Sequence, residues 1–427
     1  MSKFQLVLLG AFGFFIVIAV AVFAIYRGES SAGRVSLTIW GDISSYDFNQ
    51  ILNNSSLAQD KNTSITYVEK SSNAIQSEFT ESLAEGSGPD LVLVTQENFW
   101  KQKGKLVAIP YSNISERDFK QTFVEEGELF LGSSGVYALP LLVDPIVLYY
   151  NRDLLSAAGF ARPLAYWDEI YAAGTKLSKK DAAGNLTQSV MALGEARNIS
   201  HAKEILSMLL LQAGTPIIDF VGQDLRVELN NNFNLPVSPA ESALNFYTQF
   251  SNPTKNFYSW NRSLVEAQTH FTSGTSAYYL GFASELRALR NKNPTLNLGV
   301  ALAPQSRVSG KIITFGRLTG VAVSRGSKTP GAAYAVATRL VGKDFVKSLS
   351  EAIGLAPARR DLLSAKPSDA NMSVFYDAAL QARGWLDPDL EATRKIFNEI
   401  MESVTSGRAR TTEALSKANG ELNALIK

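Results

Sequence analysis

The chain has 427 residues, of which 45% are hydrophobic, 19% charged and 10% aromatic, with 41 Lys plus Arg against 40 Asp plus Glu. That length suits two compact lobes behind an N-terminal appendage, and the near neutrality leaves no broad electrostatic footprint for nucleic acid. Without any cysteine, disulfides, thiolate metal sites, cysteine nucleophiles and lipid attachment through an N-terminal cysteine are all excluded. The two histidines, His201 and His270, lie in segments with no nucleophile-elbow pattern.

From Phe4 to Tyr26 no residue is charged and only Gln5 is strongly polar. As a helix this run measures roughly 35 Å, at about 1.5 Å per residue, enough to cross a bilayer. It is longer than the apolar core of a signal peptide, about 7 to 15 residues. Residues 1–27 are therefore expected to be an uncleaved single-pass anchor, against the alternative of a signal peptide cut near Ala19-Val-Ala21 or Ala21-Val-Phe-Ala24. Lys3 favours an inside N-terminus, which puts the rest of the chain outside the cytoplasm on the cell membrane. Residues 28–34, small and polar, read as a tether.

Val35 to Trp40 alternates and is rich in β-formers, then meets Gly41-Asp42: a strand ending in a turn. Ile65 to Val68 is a second short strand. Ile75, Phe79 and Leu83 fall at helical spacing, Gly86-Ser-Gly-Pro89 breaks that helix, and Asp90-Leu-Val-Leu-Val-Thr95 is a continuous apolar strand. Such a run fits a parallel sheet covered on both faces, and strand, helix, strand makes a βαβ unit with a right-handed crossover. Ile146 to Tyr150 is another strand, followed by helical stretches at 151–158 and 167–177. Ala202 to Ala213 is a strongly apolar helix stopped by Gly214. A helix over 238–250 follows, then a turn and buried strand through Gly281. Strands at 298–302 and 318–323 come next, then a helix with Thr329 as its cap and Pro330 in its first turn. The C-terminus from Leu390 to Ile426 is helical with a break at Ser406-Gly407. The whole reads as α/β.

Three stretches in the middle carry a resemblance: Gly135-Val-Tyr-Ala-Leu-Pro140, then Leu148 to Gly159 with its Tyr-Asn-Arg-Asp turn, then Pro163 and Trp167-Asp-Glu-Ile170. Gly88-Pro-Asp90, Leu210-Leu-Gln-Ala-Gly214, Phe271-Thr-Ser-Gly-Thr-Ser-Ala277 and Gly299-Val-Ala-Leu-Ala-Pro304 follow the same pattern in order. Together they resemble the maltose-binding-protein-like extracellular solute-binding proteins of ABC importers, over about Val35 to Lys427. One departure is Tyr166, where the pattern carries a Thr that would cap the next helix.

The resemblance implies an α/β, two-lobed periplasmic-binding-protein-like fold (type II), here with an N-terminal transmembrane helix. Lobe one is expected at 35–143 plus 302–355, and lobe two at 144–301 plus 356–427. A solute, most simply a sugar, would lie between the lobes outside the strand ends, and an ABC permease would be the partner. No cofactor, metal or catalytic residue is implied. By position, the ligand-binding candidates are Trp40 and Asp42 at the end of the first strand, then Glu97 and Asn98 after the strand begun by Asp90. Asp144 after Leu-Pro, Glu204 at the start of its helix and Phe282 where a stacking aromatic is usual come next, with Trp385 and Arg394 from the C-terminal part. The residues leave alternatives open. Trp40 also completes an alternating strand, Glu97 and Asn98 also suit a cap on the following turn, and Asp144 before Pro145 also suits a hinge cap. The ligand could be a polyamine, a peptide or iron, with Tyr149-Tyr150 and Tyr278-Tyr279 offering phenolates, although neighbours on a strand point to opposite faces. An anchored glycan-acting enzyme would need two carboxylates at set separation, for which Asp42, Glu97 and Asp144 are the available groups.

Overall fold

The computed structural model describes residues 34–221, 224–307 and 310–426. The expected anchor, residues 1–27, and all of the tether except Arg34 lie outside them. Among the described residues no helix is long and apolar enough to cross a membrane.

Strands β1 (Val35–Gly41), β2 (Thr63–Glu69) and β3 (Leu91–Thr95) pair in parallel. Helices Ser45–Asn54 and Ile75–Ala84 make the returns. The apolar run of β3 is buried on both sides. Val92 and Val94 join the core that continues into the second lobe, while Leu91 and Leu93 join a separate core around Phe48, as the period of two in a strand requires. A short hairpin, β4 (Leu131–Gly132) and β5 (Gly135–Val136), precedes the long β6 (Leu139–Asn151).

β6 serves both lobes. Lobe two adds β7 (Lys179–Lys180), β8 (Leu186–Met191), the hairpin of β9 (Ile218–Val221) and β10 (Asp224–Val227), β11 (Ser276–Phe282) and β12 (Leu298–Leu302). The second half of β6, from Ile146 on, pairs with β11 and β12. Its first half pairs with β13 (Thr314–Val323), which carries the chain back to lobe one and sets Arg317 opposite Asp144. The sheet order is β2-β1-β3-β13-β6-β11-β8-β7. β14 (Ala356–Pro357) pairs with Val143 and Leu142, so lobe-one pairing continues past the expected boundary at 355. β15 (Ala382–Arg383) lies beside the start of β13.

Local chemistry sets the helix ends. Asn151 accepts at Oδ1 from the N–H groups of Asp153 (3.0 Å) and Leu154 (3.2 Å), which fixes the strand-to-helix turn. Where Tyr166 replaces a capping Thr, the helix begins two residues after Trp167, at Glu169. The Glu169 carboxylate instead accepts from the N–H of Ala165 at 2.9 Å and of Tyr166 at 3.3 Å. Thr329 precedes Pro330 at the next helix start, but its side chain makes no capping bond. The C-terminal helices, Leu390–Thr405 and Thr411–Leu425, are separated by Gly407 at φ +71°, a conformation that costs a residue with a Cβ.

Candidate functional site

The strand β13 is apolar or small apart from one charge, Arg317. Its register beside β6 places it at the junction of the lobes. Arg317 Nε donates to Glu97 Oε2 at 2.7 Å, and the guanidinium carbon stands 4.2 Å from the centre of the Phe282 ring. Nη1 and Nη2 make no hydrogen bond among the described residues, and the side chain keeps 34% of its surface exposed. It is a fork with one prong spent and two open.

Glu97 reaches Arg317 because β3 runs directly into the helix Gln96–Gln102. Burial opposes ionisation of Glu97, but Arg317, Lys203 and Arg394 outweigh it and hold the carboxyl below its usual range. Its Oε1 is buried without a partner among the described residues. Gln96 locks the helix to β13, giving Nε2–H to Gly316 O and taking the Leu318 N–H at Oε1, both at 2.8 Å. Asn98, a candidate for ligand, also holds the helix: its Oδ1 accepts from Thr95 N at 3.0 Å in a capping box.

Asp144 accepts from both the N–H (3.0 Å) and the Oγ (2.6 Å) of Ser284. Burial pushes its pKa up, against the pull of Arg317 and Ser284. Glu204, on the helix Ala202–Ala213, is buried, and its charge acts on both Arg317 and His201. His201 Nε2 sits 2.6 Å from Glu285 Oε1, and although burial favours the neutral ring, Glu285 raises its pKa. A second buried pair, Lys203 with Asp387, closes the lobe-two side, and Thr393 Oγ1 also donates to Asp387.

The aromatics expected to stack on ligand are covered. Phe282 is 1% exposed, with Arg317 over its face and His201 against its edge. Trp385 is 3% exposed: it stacks on Phe397 at 5.8 Å, lies under Lys203 Nζ at 5.3 Å, and gives its indole N–H to Ser207 Oγ at 3.2 Å. A loop aromatic looked free in sequence, but the buried Lys203–Asp387 pair draws it into the wall. Arg394 is half exposed at the rim, paired with Glu391. The structure thus gathers Glu97, Asp144, Glu204 and Phe282 around Arg317, with Trp385 and Arg394 behind them. Trp40 and Asp42 form a separate station at the end of β1. Lys70 Nζ lies 4.1 Å above the Trp40 ring, and exposed Asp42 accepts from Ser72 Oγ at 3.2 Å. Lys101 meets Asp389 at 2.7 Å and Trp100 meets Phe220 edge-on, joining the helix Gln96–Gln102 to residues of the second lobe.

Sequence reasoning missed Arg317, Lys203, Asp387 and Ser284. A lone charge inside an apolar strand was the available signal for Arg317. Lys203 carried a similar one, since it opens a strongly apolar helix.

The profile of the bacterial extracellular solute-binding proteins matches residues 55–374. Curated relatives described as binding proteins, from Brucella abortus (strain 2308) and Brucella suis biovar 1 (strain 1330), are 23% identical over 368 residues, covering 82% of each chain. Among solved structures, a cyclo/maltodextrin-binding protein complexed with maltotetraose superposes with a TM-score of 0.75 at 18% identity, covering 93% of this chain and 99% of that one. The GacH receptor of Streptomyces glaucescens GLA.O, solved unliganded and with acarbose, gives 0.70 at 17% identity over 92% and 99%. These likenesses establish the two-lobed fold, and with three quarters of its length matched, the chain belongs to the bacterial extracellular solute-binding protein family.

Proposed function

We propose that this protein is the extracytoplasmic receptor of an ABC importer, that it captures a carbohydrate between its lobes by hinge closure, and that residues 1–27 anchor it to the cell membrane. The observation that carries the reading is the half-committed Arg317: one N–H fixed by Glu97, the plane laid on Phe282, and two Nη groups without a hydrogen bond among the described residues at the junction of the lobes. A fork of this kind is pre-organised to give paired hydrogen bonds to neighbouring oxygens. Around it, Glu97, Asp144 and Glu204 supply acceptors and Ser284 a hydroxyl. Donors and acceptors set side by side suit the neighbouring hydroxyls of a sugar, and because three carboxylates surround the one arginine, a cationic solute is the alternative that the test must separate. Both oxygens of Asp144 and one of Glu97 are already held, which favours binding over proton transfer. The solutes named for the two structural neighbours, maltotetraose and acarbose, are the natural first probes.

The test is thermal unfolding of the protein with maltotetraose, acarbose, monosaccharides, spermidine and ferric citrate. A ligand at about 100 times its Kd adds roughly 2.7 kcal/mol. Stabilisation by a saccharide that disappears in Arg317→Ala is the expected result. Stabilisation by spermidine or iron alone, or by a saccharide equally in Arg317→Ala, overturns the reading.

A further inference from the structure

Glu126 belongs to the 3-10 turn Glu125–Phe130 of lobe one, and both of its carboxyl oxygens are buried without a hydrogen-bond partner among the described residues. The carboxyl lies in a slot between two glycines. A Cβ on Gly316 would stand 2.5 Å from its Oε2, and a Cβ on Gly384 would stand 2.6 Å from its Oε1. Gly316 is on β13, opposite Pro145 at the junction. Gly384 comes directly before Trp385, which is packed into lobe two against Ser207 and Phe397. One wall of the slot therefore travels with lobe two, while the carboxyl belongs to lobe one. The slot thus lies at the crossing between the lobes, with Arg383 beside Gly384 also tied to Glu125 of the carboxyl's own turn.

The charged groups around it are already engaged. Arg383 on β15 is paired with Glu125 of the same turn, and Lys120 on the helix Glu116–Thr122 with Glu116 and Glu128. On the helix Gln96–Gln102 and on β13, Glu97 and Arg317 hold each other. On β6, Asp144 is bound by Ser284. Burial pushes the Glu126 pKa up to about 8, Arg383 opposing and the charge of Glu97 adding to it. An unpartnered carboxylate is costly in such a place, and a neutral acid far less so.

We propose that Glu126 is a proton-operated latch: its slot accepts the neutral acid, so the lobes come together with uptake of one proton from solvent and part when that proton is lost. The latch rests on the hinge closure proposed above and adds a control to it. With the lobes apart, the hydrated carboxyl titrates at its ordinary value. A closed-state pKa raised above that value favours closure fully below it, and the advantage is lost as pH rises towards about 8. Within that window the closed-to-open ratio falls about tenfold per pH unit.

The absence of cysteine makes a distance measurement direct. Exposed Glu85 in lobe one and exposed Lys255 in lobe two are changed, Glu85→Cys and Lys255→Cys, in the full-length chain. A fluorophore pair on them reads lobe separation by energy transfer from about pH 4.5 to 9. A melting curve at each pH distinguishes opening from unfolding. The otherwise unchanged chain is expected to open as pH rises. Glu126→Gln, neutral at every pH, is expected to stay closed, and Gly384→Ala, whose methyl takes the place of Oε1, to be open throughout. A flat profile for the unchanged chain, or the same pH response in Glu126→Gln, overturns the latch. If Gly384→Ala opens the molecule while pH does not, the hinge stands and the latch falls; if neither moves the lobes, both fall.

Discussion

On the outer face of the lobe-one sheet, Phe48 lies stacked on Tyr67 at 4.0 Å and edge-on to Phe345 at 5.6 Å, within a core of leucines, valines and phenylalanines. Where β3 and β13 reach the junction, buried Glu97, Lys203, Asp387, Asp144 and Glu126 stand around the partly buried Arg317. The first region is held by area removed from water, which has no direction. The second is held by pairs that must meet at one geometry, because each buried charge without its partner is expensive. The comparison teaches where adjustment is allowed: apolar packing keeps each lobe rigid, while the polar junction depends on how the lobes meet.

Phe48→Ala breaks the comparison from the rigid side. It leaves a cavity in a fully buried site and is expected to cost about 3–5 kcal/mol in a denaturant titration, with solute affinity unchanged in the fraction that remains folded. A matching loss of affinity would mean that the two regions are not independent.

Arg317→Ala breaks it from the other side. It strips Glu97 of its main cation and the cleft of its open fork. A loss of about 2–5 kcal/mol in binding is expected, with Arg317→Lys failing to restore it, since an ammonium cannot present two parallel donors while holding Glu97. The protein should also lose stability at neutral pH. Arg317 holds Glu97 below its usual range, so this contribution is present above the ordinary carboxyl value and fades as pH falls through the lowered one. The stability difference between the two proteins should therefore shrink in acid.

The same contrast explains what the sequence disclosed. The apolar run of β3, the Tyr-Asn-Arg-Asp turn capped by Asn151 and the break at Gly407 depend on neighbours a few residues away, so their patterns reveal them. Arg317 acquires its role from Glu97, separated by 220 positions, and from Asp144 through strand register. Neither relation has a local signature. Phe282 and Trp385 were legible as aromatics at a strand end and in a loop, but their faces are closed by Arg317, His201, Lys203 and Phe397, which only the tertiary arrangement brings there.

Asn98→Ala probes a residue whose chemistry suits ligand but whose geometry suits a cap. Its loss should cost about 1 kcal/mol of stability and leave affinity unaltered by calorimetry. A drop in affinity without a drop in stability would return Asn98 to the ligand.

The smallest effect concerns the station at the end of β1. Lys70 lies over Trp40 and also pairs with Glu78, so the ring is presented with a cation on one face. At a partly exposed site that contact is worth about 0.5–1 kcal/mol. Lys70→Met removes the charge while keeping most of the stem, freeing the indole face. If Trp40 serves the cleft, the freed face can lie against the apolar side of a sugar ring, and affinity should rise by a few fold or hold steady while Trp40→Ala lowers it. If Trp40 only completes the strand, Lys70→Met and Trp40→Ala should both leave affinity alone and differ only in melting temperature. Measuring both variants with the saccharide that stabilises the unaltered protein decides whether the cleft ends at Arg317 or extends along the sheet to Trp40.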